Sequence, residues 1–274
     1  LIEASTVRLV DGEEIAENIE KGLDPGISPK LGIILVGDRK PSQVFVEKKI
    51  QACKRNGYRH VLEHLPEDTE QEELHKVVDK WNKDPEIHGI IVQLPLPDHI
   101  NERKVFRRLK PVKDVDGLTP ENLGKLVRGE ETVLPSAVSA ILEILETKKI
   151  ELKSKNVTVI NNSVLIGRPL SMALTQRKAT VNLCHKHTEN LEQFTKNSDI
   201  VVTATGQPDV LKNGMIPEDC LVIDASYSYT ENRLKPDTDN LKDSIDISPV
   251  PGGVGPVTVA KTLENLVKCY RKQV

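Results

Sequence analysis

Aromatic side chains are scarce. The 274 residues hold one Trp, four Tyr and three Phe, too few for the stacking platforms on which single-stranded nucleic acid binds. Positive charge is not in excess either: 38 Lys and Arg against 41 Asp and Glu leave a formal net charge of −3. That balance offers no electrostatic handle to nucleic acid or to an anionic membrane, and neither is expected as a partner. No apolar run approaches the roughly 20 residues that span a bilayer. Leu1 to Ile15 mixes acids with its apolar residues and does not read as a signal peptide. Four cysteines, Cys53, Cys184, Cys220 and Cys269, stand far apart without a C-x-x-C pair. That spacing argues against a zinc ribbon, a disulfide scaffold and a thioredoxin motif, so no metal site is expected. A reducing compartment is the default, with the cytoplasm first and the mitochondrial matrix left open.

What is present is the composition of a globular protein: 29% charged and 38% hydrophobic residues. The length predicts one large or two medium domains. Apolar strand-like runs alternate with helical patterns. Strands are expected at 31–36, 59–64 and 89–94. Helices are expected at 41–56, after Thr69 as N-cap with Glu72 three residues on, and at 136–147. The pattern restarts at Asn156. Strands are expected at 157–160, 180–184, 199–203 and 221–224, and helices at 168–177, 188–196 and 258–271. Repeated β-α-β predicts parallel sheets covered by helices, in two α/β domains with a cleft between them.

Five segments have the composition of ligand sites, and each also has a plainer reading. Pro249-Val-Pro-Gly-Gly-Val-Gly-Pro-Val-Thr258 fixes an irregular backbone that a ligand can approach closely, or simply makes a stiff turn. Gln93, in Val92-Gln-Leu-Pro-Leu-Pro97, ends a buried strand, where α/β proteins place ligand residues, or caps a loop. Phe45 and Lys49 share a helix face at i, i+4. A lysine in a desolvated site works as acid or base, but most helix lysines are solvated, and Lys48 beside it dilutes the signal. Asp114-Val-Asp-Gly117 is an acid-bearing turn. Asn161-Asn-Ser-Val-Leu-Ile-Gly-Arg-Pro169 links a strand to a helix as a dinucleotide phosphate turn does, without being G-x-G-x-x-G. The next strand ends in His185-Lys186-His187, a basic end that favours NADP over NAD, or an exposed basic loop.

Together these residues resemble the methylenetetrahydrofolate dehydrogenase/cyclohydrolase family, called FolD in bacteria. The resemblance rests on Val92-Gln-Leu-Pro-Leu-Pro97, Lys113-Asp-Val-Asp-Gly117, Gly167-Arg-Pro169, Ala204-Thr-Gly-Gln-Pro208 and Pro249 to Thr258, in family order over nearly the whole chain. It implies an N-terminal folate-binding catalytic domain of residues 1–137 plus a returning helix, 257–274. It also implies a Rossmann-like NAD(P)-binding domain of residues 138–256. It implies hydride transfer from 5,10-methylenetetrahydrofolate to NADP, with NAD as the lesser cofactor. Hydrolysis of the methenyl product to 10-formyltetrahydrofolate follows. It implies a homodimer as well. The family's catalytic lysine falls on Lys49, its glutamine partner on Gln93 and its pterin-binding aspartate on Asp116. Folate contacts fall on Phe45, Pro251, Gly252 and Gly253. Cofactor contacts fall on Asn161, Asn162, Ser163, Gly167, Arg168, Pro169, His185, Lys186, Thr203, Gly206, Ser226 and Thr258.

Departures from the family pattern cluster on the cofactor half. Phe45 stands for a Tyr. Asn161-Asn162-Ser163 stands for Gly-Arg-Ser, whose Arg holds the 2′-phosphate, while Lys186 stands for a Ser and can replace that charge. Pro135-Ser-Ala-Val138 stands for Pro-Cys-Thr-Pro, and Ser226 for a Gly near the nicotinamide. Lys242-Asp-Ser244 reads as the remnant of Gly-Asp-Val. Three readings follow: the bifunctional enzyme, a cyclohydrolase with weak or absent dehydrogenase, and a non-catalytic folate- or partner-binding descendant.

Overall fold

The computed structural model describes residues 10–208, 210–226, 228–230, 233–238, 241 and 246–274. Residues 1–9, Tyr227 and the Lys242–Ser244 remnant read from the sequence lie outside the described residues. The chain divides into two compact units. One comprises residues 16–136 with 259–274, the other residues 137–258 with 10–15.

After α1 (Gly12–Lys21), the first unit contains β1 (Lys30–Val36), α2 (Lys40–Arg55), β2 (Arg59–Leu65), α3 (Gln71–Lys83), β3 (Gly89–Val92), α4 (Glu102–Arg108) and α5 (Pro120–Arg128). Its sheet has the order β2-β1-β3 with both pairings parallel. Central β1 is buried from Leu31 to Val36, which is why its sequence is a continuous apolar run rather than an alternating one. Residues Val259, Leu263, Leu266, Val267 and Cys269 of α9 (Val254–Arg271) complete the core over Leu31, Ile33 and Ile91.

Two local expectations fail here. The Thr69–Glu72 cap does not form: Glu70 is the N-cap of α3 and the Thr69 hydroxyl is buried without a partner. The first helical bonds, from the Glu73 and Leu74 amides, go back to the Glu70 carbonyl, one residue past the expected start. Helix α5 was not anticipated, although its start carries a plain signal. Thr119 accepts from the Asn122 amide, Pro120 occupies the first turn, and Gly129 closes the helix in the left-handed region.

The second unit contains α6 (Ser136–Thr147) from its second residue on, Ser136 itself belonging to the first unit, then β4 (Asn156–Ile160), α7 (Gly167–Gln176), β5 (Thr180–Cys184), α8 (Glu192–Thr195), β6 (Ile200–Thr203) and β7 (Leu221–Asp224). The hairpin β8 (Ser228–Thr230) and β9 (Arg233–Lys235), and the short β10 (Asp246–Ile247), complete it. The main sheet runs β10-β7-β6-β4-β5, all parallel. The helix expected at 188–196 shrinks to α8. Thr188 is drawn into the turn after β5, where its hydroxyl accepts from the His185 amide at 2.9 Å. Asn190 adopts a left-handed φ of 50°. Helix α9 begins at Val254, inside the proline-glycine segment, so Thr258 lies within it and its hydroxyl donates to the Val254 carbonyl. Two units of alternating strands and helices make this an α/β protein, as the sequence predicted.

Candidate active site

The turn after β3 and the face of α2 meet at one partly buried hydrogen bond. The Gln93 amide continues the ladder by donating to the Ile34 carbonyl at 2.9 Å. This sets the side chain at the strand end, where it accepts from Lys49 Nζ through Oε1 at 3.0 Å. Its other end is engaged as well, because Nε2 donates to the Leu94 carbonyl at 2.8 Å. Of the paired lysines, Lys48 is exposed while Lys49 is only 5% exposed. Burial pushes the Lys49 ammonium below the ordinary lysine value, and the Asp116 carboxylate opposes that shift. Phe45, one turn earlier on α2, is half-buried.

Asp116 is positioned by its neighbours in Lys113-Asp-Val-Asp-Gly117. The Lys113 amine donates to the Trp81 carbonyl at 3.0 Å and the Asp84 carbonyl at 2.5 Å, fixing the loop to the end of α3. Asp114 is buried and accepts from the Thr119 amide (2.7 Å) and Asn122 Nδ2 (2.9 Å). Burial raises its carboxyl above the usual range, against the pull of those donors. Val115 is packed into the core. Gly117 takes a left-handed φ of 61°, and a methyl there would overlap the Val133 carbonyl. Asp116 is thus the half-buried member of the motif, and its Oδ1 accepts from the Ser136 hydroxyl at 2.8 Å. The sequence reading noted Ser136 only as a departure.

The second unit carries the other candidates. The crossover from β4 to β5 on one side and β6 on the other makes a switch point at the C-terminal ends of β4 and β6, where open parallel sheets bind nucleotides. There Asn161 Nδ2 donates to the Ala204 carbonyl at 2.6 Å. Its Oδ1 accepts from the Ser163 amide (2.8 Å) and the Gly167 amide (3.1 Å). Gly167 is obligatory, because a methyl would overlap the Asn161 carbonyl. Asn162 and Arg168 are exposed and Pro169 is buried in the first turn of α7. Register pairs Ile160 with Cys184, so Asn161-Asn162 and His185-Lys186 leave neighbouring strands at the same sheet end. His185, Lys186 and His187 are all exposed there. A lysine at that sheet end suits a phosphate-bearing dinucleotide.

Thr203 and Ser226 turn their hydroxyls inward, to a buried aspartate that the sequence reading missed. Asp237 Oδ2 accepts from Thr203 Oγ1 (2.5 Å), the Thr205 amide (2.7 Å) and Thr205 Oγ1 (2.8 Å), while Ser226 Oγ accepts from the Asp237 amide at 3.1 Å. Asp237 Oδ1 is buried without a partner. Burial also raises the carboxyl of nearby Asp224 above its usual range. Gly206 has a left-handed φ of 66°, with open space where a side chain would stand. In the proline-glycine segment, the Gly252 carbonyl accepts from the Gly12 amide at 2.8 Å, and Pro251 is exposed while Gly253 is buried. Among the described residues no cluster of three or more His, Cys, Asp or Glu is placed to hold a metal, and no helix is long and apolar enough to cross a membrane.

Comparison with known proteins gives one consistent answer. The catalytic domain of tetrahydrofolate dehydrogenase/cyclohydrolase matches residues 3–116, and its NAD(P)-binding domain matches residues 135–274. The bifunctional protein FolD of Aquifex aeolicus is 40% identical over 266 residues, covering 95% of this chain and 91% of that protein. The crystal structure of FolD from Campylobacter jejuni matches with a TM-score of 0.92 at 34% identity, covering 98% of this chain and 100% of that one. The methylenetetrahydrofolate dehydrogenase-cyclohydrolase of Trypanosoma brucei, solved with NADP and an inhibitor, matches with a TM-score of 0.90 at 33% identity. That alignment covers 96% of this chain and 97% of the other. The chain belongs to the tetrahydrofolate dehydrogenase/cyclohydrolase family.

Proposed function

We propose that this protein oxidises 5,10-methylenetetrahydrofolate with NADP and hydrolyses the 5,10-methenyl product to 10-formyltetrahydrofolate, with Lys49, Gln93 and Asp116 as the folate-side residues. The observation that carries the reading is the buried Lys49 amine, bonded to Gln93 and pushed by burial toward its neutral form.

NADP, when bound, supplies the acceptor for the hydride. The methenyl carbon is cationic, so water attacks it without a strong nucleophile. The reaction needs that water positioned and its protons moved. Neutral Lys49 takes a proton from the attacking water. As the carbon–N5 bond breaks, the resulting ammonium returns a proton to N5, and the water's second proton leaves to solvent. Gln93 keeps the amine aimed by offering only its oxygen. Asp116 accepts from the donor edge of the pterin, Phe45 stacks on it, and Pro251, Gly252 and Gly253 lie along the folate.

On the cofactor side, Arg168 and the His185-Lys186 pair hold phosphate, with Lys186 at the 2′-phosphate in place of an arginine at Asn162. Asn161, Ser163, Gly167, Pro169, Thr203, Gly206, Ser226 and Thr258 shape the rest of that site. The enzyme works in the cytoplasm as a homodimer through the NAD(P)-binding unit. Met172 on α7 and Leu183 on edge strand β5 are exposed apolar side chains that such a dimer would cover.

A second reading, a cyclohydrolase with weak dehydrogenase, is favoured by one observation. The Ser163 and Gly167 amides, which a glycine-rich turn would offer to phosphate, are taken by Asn161 Oδ1. A spectrophotometric assay decides. The first reading predicts NADP reduction from methylenetetrahydrofolate together with methenyl loss above the uncatalysed rate. Methenyl loss alone supports the second, and silence in both sinks both.

A further inference from the structure

The Asp116 loop is paired with a second loop 20 residues away in sequence, and a third element holds the two together. Asn265 of α9 is fully buried. Its Nδ2 donates to the Val115 carbonyl at 3.0 Å and to the Leu134 carbonyl at 2.9 Å. One nitrogen therefore pins the residue before Asp116 beside the segment leading to Ser136. Gly117 lets the same two segments touch on the other side of Asp116, where a methyl would strike Val133. Ser136 opens α6, is 2% exposed, and its hydroxyl reaches Asp116 Oδ1 at 2.8 Å.

We propose that Ser136 is a positioning residue for Asp116: its hydroxyl holds one carboxylate oxygen and turns the other toward the substrate. This rests on the reading of Asp116 as the acid that binds the pterin. A carboxylate on a short side chain turns freely about its last bond unless one oxygen is held. A buried hydroxyl 2.8 Å away holds it without adding a charge, which a lysine or arginine in that place would do close to Lys49. The Ser136 hydroxyl is spent on the carboxylate, so it acts through Asp116. Because the donor is aimed by the backbone of a helix start and by the Asn265 strap, the carboxylate is set before substrate arrives. Pre-setting of this kind improves binding more than it speeds the chemical step.

The test compares Ser136→Ala, Asp116→Ala and the double variant by calorimetric titration with tetrahydrofolate and by steady-state methenyl hydrolysis. Ser136→Ala raises Kd and KM about tenfold, the effect of losing one hydrogen bond to a charged group, while kcat at saturation stays within about threefold. In the Asp116→Ala background, Ser136→Ala has no further effect on Kd, because there is no carboxylate left to aim. An equal loss in that background makes Ser136 a purely structural residue and overturns the inference. Wild-type binding by Ser136→Ala, with weakened binding by Asp116→Ala, overturns it too and leaves the reading of Asp116 standing. Wild-type binding by Asp116→Ala removes that reading, and the inference falls with it.

Discussion

Lys49 and Gln93 are joined through a single orientation of the glutamine amide. Its oxygen faces the lysine at 3.0 Å while its nitrogen is spent on the Leu94 carbonyl at 2.8 Å. The amide cannot turn over without losing both bonds, so Gln93 presents only an acceptor. A lysine amine satisfies that acceptor whether it is charged or neutral, so the amine can gain or lose a proton without losing this bond.

Burying that amine carries a stability cost, and Lys49→Met exposes it. The folded-state value lies below the ordinary 10.5, so the unfolded chain binds more protons across the interval between the two. Stability therefore rises with pH through that interval, and the full penalty stands below it. Lys49→Met removes the penalty. The melting temperature rises at neutral pH, and the gain shrinks as pH approaches the ordinary lysine value. Methenyl hydrolysis falls by about 100-fold or more. Full hydrolysis by this variant removes Lys49 from the mechanism.

Asp116 opposes the downward shift of Lys49. With Asp116→Asn that opposition is gone, and the lysine value falls further. In a profile of kcat against pH for methenyl hydrolysis at saturating substrate, the limb belonging to Lys49 moves to lower pH. A limb that stays fixed, or moves up, rejects the coupling.

Cofactor affinity separates Lys186 from Asn161. Lys186→Ala weakens NADP binding by about tenfold and flattens its salt dependence, with NAD binding unchanged, since only NADP carries the 2′-phosphate. Asn161→Gly frees the Ser163 and Gly167 amides, so both dinucleotides bind more tightly. Calorimetric titration of each cofactor reads both effects without turnover. Unchanged NADP affinity and salt dependence in Lys186→Ala would falsify its assignment.

Asp237 ties the end of β6 to the turn after β9 through three bonds on one oxygen. Asp237→Ala strands the Thr205 amide and costs about 1–3 kcal/mol in urea unfolding. Asp237→Asn keeps an acceptor in the same place and loses less than half of that. Equal losses would mean the charge itself, not the acceptor, holds the turn.

The main strands were legible because each depends on local pattern. The apolar run at 31–36 reads as a buried parallel strand, and Gln93 follows from where a strand ends. Which of Lys48 and Lys49 is buried was not legible from spacing alone; the resemblance chose between them. Ser136 and Asn265 were invisible for a different reason. Their roles come from bonds spanning 20, 131 and 150 residues, and no periodicity encodes such pairs. Asp237, between Pro236 and Thr238, carries no local signal: its role comes from bonds to Thr203 and Thr205, 34 and 32 residues away. The overlong helix at 188–196 failed where a side-chain bond from Thr188 outcompeted helical pairing.

Helix α9 contributes Val259, Leu263, Leu266, Val267 and Cys269 to the core that contains Leu31 and Ile33. The ribosome makes those strand residues well before the helix. A nascent chain halted near residue 136 has the three-stranded sheet but lacks the apolar stripe that closes it, and it lacks Asn265. The unit of residues 16–136 with 259–274 therefore closes its core only after α9 has been made, while the strands of residues 137–258 are all synthesised beforehand. In a cell, the half that carries Lys49 is the half that waits longest for protection from proteases and chaperones.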